Sequence, residues 1–250
     1  MAAQGSMQLG TEELTSPATL KAAFAEFVAT GLFIFMGVGS VAMAVNAFGP
    51  NDASGVGVVS IAITHGLAIA LLAGGIGGIS GGHINPAVSF AMVLTGRITV
   101  TRGAMYVVAQ LIGACVGMLL LRAFILDDVI SKMPGAGGHA INAAAVKNAG
   151  MAVGIEAVLT FVLVWTIFAT AVSSKGLGSL AAFAIGFAVL IDHLVGVPLT
   201  GASMNPARTF GPALINNRWT DHWVYWVGPL IGAAVAGITY WFFYLQDDET

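Results

Sequence analysis

Charge is what this sequence has least of: Lys, Arg, Asp and Glu together make up 8% of its 250 residues. A water-soluble domain carries about 25%. This chain therefore lacks the polar surface to cover itself in water, and its solvent is mostly lipid. The formal net charge is only −3 and no basic stripe is present, which argues against a nucleic-acid partner. Cysteine is nearly absent. Cys115 stands alone in an apolar run, so an internal disulfide is excluded and the residue reads as a small buried hydrophobe. The first 19 residues hold Glu12 and Glu13 but no positive charge, so a removable signal peptide is not expected and the first apolar run reads as a retained anchor. Metal-ligand spacings, nucleophile elbows and phosphate loops are missing as well. Neither catalysis, a cofactor nor a metal site is expected.

What is there is apolar length: hydrophobic residues reach 57% and the mean hydropathy is +0.89. Six segments each have roughly the 20 residues needed to span hydrocarbon, near Leu20–Val45, Val58–Ile79, Gly103–Leu126, Gly150–Val172, Ser179–Leu199 and Trp223–Leu245. Glycine is plentiful and falls at small-xxx-small spacing in Gly74/Gly78, Gly113/Gly117, Gly228/Gly232 and Gly232/Ala236. That spacing lets helix backbones approach closely in lipid, and the pairs together suggest a tight bundle.

The two halves share one plan. "AEFVATGLFIF" matches "IEAVLTFVLVW", setting Glu26 and Thr30 over Glu156 and Thr160, and "AQLIGACVG" matches "GPLIGAAVAG". Between them, "GGHINPAVSF" and "GASMNPARTF" place Asn85 and Asn205 120 residues apart (205 − 85). Each half has three spans, an odd number, so the second enters from the opposite face as an inverted repeat. The expected fold is an all-α membrane protein of six transmembrane helices plus two reentrant half-helices. It forms one channel domain over 1–250, with a first repeat about 20–126, a connecting loop about 127–149 and a second repeat about 150–245. Positive charges flanking the spans divide evenly between the two faces and do not orient the chain.

Asn-Pro starts a helix, because Asn caps free N–H groups and Pro takes the first helical position at no cost. Asn85, Pro86 and Ala87, and Asn205, Pro206 and Ala207, thus begin half-helices ending near Leu94 and Ile215. Each is about 15 Å long, so the pair end to end covers about one hydrocarbon thickness of 30 Å. Two helix N-termini then meet at mid-depth with a positive field. Each Asn oxygen accepts from its own helix, which leaves the NH₂ toward the lumen. Water would present its oxygen to both amides and could not relay a proton, and cations would be repelled. Arg208, in the first turn of the second half-helix, is costly inside a membrane and so marks function. Glu26 and Glu156 are either a proton relay or, as preferred for a symmetrically placed pair, acceptors for the reentrant loops. Asp192 turns to another helix face than His193.

"HINPAVSFA", "SMNPARTFG" and "HWVYWVGPLIGA" resemble the aquaporins of the major intrinsic protein family, from about Lys21 to Leu245. The resemblance implies a passive water channel in a lipid bilayer, assembled as a homotetramer with one pore per protomer. It also implies a selectivity filter of His65, His193, Ala202 and Arg208, small, rich in donors and able to favour ammonia. His65 stands where most strict water channels have Phe and the plant vacuolar branch often has His. His139, in the loop "PGAGGHAIN", is a possible pore-mouth residue, although a solvated loop position is preferred. Thr209 and Ala213 stand where glycerol facilitators have Asp and a basic residue, which favours water. The short loops slightly favour a cell membrane over the vacuolar one.

Overall fold

The computed structural model describes residues 7–50 and 54–246. Among these there are no strands; six helices are long and apolar enough to cross a membrane, and three shorter α-helices lie between them. In chain order they are α1 (Pro17–Phe48), α2 (Val56–Ser80), the half-helix α3 (Pro86–Leu94), α4 (Val100–Phe124), a surface turn α5 (Asp127–Lys132), α6 (Ala149–Ile167), α7 (Ala181–Gly196), the half-helix α8 (Pro206–Asn216) and α9 (Val224–Tyr240). Wider π turns, Phe168–Val172 and Trp241–Leu245, continue α6 and α9.

The ends are set by local chemistry. Ser16, Thr99 and Asn148 each accept a backbone N–H three residues on, and Pro17 occupies the first turn of α1. The packing obeys the inverted repeat: α1 lies on α4 as α6 lies on α9, and α2 meets α7 at the centre. The half-helices cross over, so that α3 packs on α9 and α8 on α4. Each half therefore closes around the other's broken helix, and the turn backbone stays out of lipid.

Glycine permits these approaches. A Cβ on Gly113 or Gly117 would overlap the carbonyl oxygens of Phe27 and Gly31, and one on Gly232 that of Ala157. Gly66 and Gly186 are reciprocal: the carbonyl of each lies where the other's Cβ would stand, at 2.6 and 2.5 Å. This crossing joins the two halves. The Gly74/Gly78 pair is used differently. Gly74 has only ordinary contact with Ala182, Gly78 has open space, and both line a cavity instead of a helix contact. Long apolar side chains such as Phe24, Leu71, Val158, Phe187 and Ile231 are exposed on the outside, as a lipid-facing surface requires.

Candidate functional site

Both reentrant turns hang from a buried carboxylate. Glu26 on α1 accepts from Ser80 Oγ (2.6 Å), His83 N (2.9 Å) and Ile84 N (2.6 Å). Glu156 on α6 accepts from Thr200 Oγ1 (2.6 Å), Ser203 N (3.0 Å) and Met204 N (2.8 Å). The sets match residue for residue between the halves. Tyrosine hydroxyls brace the same turns, Tyr106 donating to Ser80 O and Tyr225 to Thr200 O, both at 2.9 Å. The match ends at Gln110, whose Nε2 also donates to Glu26 Oε2 (2.9 Å) and Ser89 Oγ (3.1 Å).

These anchors hold two non-glycine residues at positive φ, Ile84 (56°) and Met204 (52°). A β-branched residue there is strained and persists only where its surroundings over-determine it. The strain turns each carbonyl to the facing half. Asn85 Nδ2 donates to Met204 O (2.8 Å), and Asn205 Nδ2 donates to Ile84 O (2.9 Å). Each Asn Oδ1 caps its own helix, accepting from Ala87 N (2.8 Å) and from Ala207 N (3.0 Å) and Arg208 N (3.3 Å) respectively. The amides thus do not point wholly into the lumen, contrary to the expectation from sequence. One N–H of each is occupied across the two-fold, and one remains.

Around this midpoint runs a cavity of about 640 Å³, lined by Asn85, Asn205, Val88, Leu163, Val189 and His193, with Gly78, Ser174 and Ser179 also in its wall. Beyond its wall stand Arg208 and His65. Arg208 Nε donates to His65 Nε2 (3.2 Å), and Nη1 donates to Gly137 O (3.0 Å). His65 and His193 stack with ring centroids 4.2 Å apart. Ala202, at φ 57°, is buried against Gly196.

The ring is less rich in donors than its composition suggests. His65 Nδ1 meets Ile61 O (2.9 Å) and His193 Nδ1 meets Val189 O (2.8 Å), so each places its proton on its own helix. Both Nε2 atoms are acceptors in consequence. That of His65 is taken by Arg208, and that of His193 is buried with no partner among the described residues.

His139 is not a solvated loop residue. It is buried, its ring lies 5.0 Å from that of Tyr225 and packs on Gly201, and Nδ1 meets Thr209 Oγ1 at 2.6 Å. Thr209 also meets Ser203 Oγ (2.6 Å), which ties the loop to the second reentrant turn. Burial, and next the positive charge of Arg208, hold the His139 imidazole well below its ordinary value of 6.5. Asn216 Nδ2 donates to Ala136 O (2.7 Å) and Asn142 Nδ2 to Pro198 O (3.0 Å), so the α4–α6 connection folds down over Arg208. Sequence reading offered the pore mouth for His139 but preferred a solvated position, and it is the inward fold of the loop that decides against the latter. Asp192 is buried, with Oδ2 unpartnered among the described residues. No group of three potential metal ligands occurs among the described residues.

Residues 13–240 match the major intrinsic protein family. A probable TIP-type aquaporin of Medicago truncatula is 43% identical over 233 residues, covering 92% of this chain and 89% of that protein. Aquaporin TIP1-1 of Arabidopsis thaliana is 43% identical over 248 residues, with 94% and 91% covered. Mouse aquaporin-4 is 42% identical over 231 residues, with 92% and 69% covered. Among solved structures, an aquaglyceroporin from Plasmodium falciparum superposes with a TM-score of 0.78 over 93% of this chain and 100% of that one, at 23% identity. That last likeness is one of fold.

Proposed function

This chain belongs to the major intrinsic protein family, and from that premise we infer a passive transmembrane channel for water that excludes ions and protons, not an enzyme. One observation carries the reading: Asn85 and Asn205 cap helices that meet N-terminus to N-terminus, and each is locked by the other half's loop carbonyl. Those carbonyls are occupied, so what the midpoint offers a permeant is the remaining amide N–H groups in a positive field. A water molecule turns its oxygen to them and cannot pass a proton along.

His65, His193, Ala202 and Arg208 form the narrowest ring in this reading. The contacts of Arg208 with His65 and Gly137 O support it, because they fix a cation beside the path. His139 belongs to the mouth, supported by its bond to Thr209. Ammonia is a second permeant, favoured by the unpartnered His193 Nε2, which can accept an N–H. The relatives named aquaporins, with Thr209 and Ala213, support water over glycerol. The assembly is a homotetramer by family resemblance. TIP-type relatives support the vacuolar membrane over the cell membrane.

Proteoliposomes holding the protein will shrink faster in an osmotic step, with a low activation energy. Parallel ammonia and glycerol traces place the other permeants. Arg208→Val keeps water flow within about twofold and lets ions and larger solutes leak. Rates equal to those of protein-free vesicles refute the channel; a variant as selective as the parent refutes the ring.

A further inference from the structure

We propose that Gly37, on α1, is a specificity-determining residue of the pore. Its missing side chain makes the recess that seats His65 against Arg208. A Cβ at position 37 would stand 2.6 Å from His65 Nε2, 2.9 Å from Cδ2 and 3.2 Å from Cε1. The edge of the imidazole therefore lies directly on the glycine backbone.

The ring is held at both nitrogens and by two aromatic neighbours. Nδ1 is tied to Ile61 O at 2.9 Å, Nε2 accepts from Arg208 at 3.2 Å, one face stacks on His193 at 4.2 Å, and Phe33 meets it edge-on at 5.6 Å. Rotation breaks the Ile61 bond. Translation away from α1 carries the ring off Arg208. Backbone conformation does not call for glycine here, since position 37 lies inside the regular helix Pro17–Phe48, where glycine is unfavourable. Space does.

The consequence is chemical. With His65 fully buried and its acceptor taken, the ring of four offers a permeant one imidazole acceptor, that of His193, opposite one fixed cation. A side chain at position 37 dislodges His65, frees a second acceptor, and releases the guanidinium from its lateral tie. This inference rests on reading His65, His193, Ala202 and Arg208 as the narrowest ring.

The test is a four-protein set in proteoliposomes: the parent, Gly37→Ala, His65→Ala and the double variant, with water permeability scaled to incorporated protein. With His65 present, Gly37→Ala is expected to lower water permeability about fivefold or more; with His65→Ala the same change alters it by less than about twofold. No effect in the parent, or an equal fall in both backgrounds, overturns the proposal. If Gly37→Ala fails to fold, recovery of folding in the double variant supports the same steric coupling, and failure of both overturns it. Arg208→Val, run alongside, separates the two ideas. If it leaks while positions 37 and 65 act independently, only the role of Gly37 falls; if it stays selective, the ring itself falls.

Discussion

Replacing Glu156 with Gln keeps the shape of the side chain and changes one atom's role. Oε1 can still accept from Thr200 Oγ1 and Ser203 N, but an NH₂ now faces the N–H of Met204, formerly bonded at 2.8 Å. A hydrogen bond to a charged group contributes about 1.5–3 kcal/mol, and a buried donor left unpaired costs about 1–3 kcal/mol. Without counting the same loss twice, the change costs about 2–4 kcal/mol. At about 2–4 °C per kcal/mol for a chain of this size, the melting midpoint falls by roughly 4–16 °C. Met204 is the acceptor for Asn85, so water permeability per folded chain falls too, by about threefold or more. Glu26→Gln likewise leaves the N–H of Ile84 without its acceptor, and Gln110 must turn its amide for Oε1 to accept from the new NH₂. The measurements are thermal unfolding in detergent and stopped-flow light scattering on vesicles. A Glu156→Gln protein with parental midpoint and parental flow refutes the reasoning. Lost flow with an unchanged midpoint, together with solute movement that follows a proton gradient, would replace an anchored loop with a relay.

Two further outcomes are expected. Stability should depend on pH through His139: below its ordinary value of 6.5 the unfolded chain takes up a proton that the folded chain refuses, so the midpoint is level above that value and declines as pH falls. His139→Gln removes its share of that decline, which a pH series of melts will show; an unchanged slope counts against the burial argument. Gly66→Ala forces apart the reciprocal carbonyl contact with Gly186 and should cost about 1–3 kcal/mol by denaturant titration, against little change for Gly78→Ala, where space is open.

The broken helices were legible because their start signal is local: Asn-Pro names its own cap, and the bounds of α3 and α8 follow within a residue or so. The paired glutamates were legible because two copies at matched positions mark a shared task. The Gly66–Gly186 contact was not, since its partners lie in different halves and no spacing along one helix reveals it. Composition alone also misleads about the imidazoles. Whether a histidine donates or accepts toward the path depends on which nitrogen its own helix claims, and Ile61 and Val189 decide that in three dimensions. His139 follows a turn in which Gly135, Ala136 and Gly137 stand at positive φ (56°, 51° and 85°), and Ala136 there is not announced by residue type.

The exchange between Asn85 and Met204, and between Asn205 and Ile84, carries a lesson about assembly. Neither amide finds its acceptor within its own half. A nascent chain that has placed only its first three spans holds an unsatisfied donor and an unsatisfied carbonyl at mid-bilayer, a poor resting state in oil. The centre must therefore be completed last, when the later spans arrive upside down. Separately made halves could rebuild the conduit only by meeting as opposites, and a lone half would have no reason to hold its turn open.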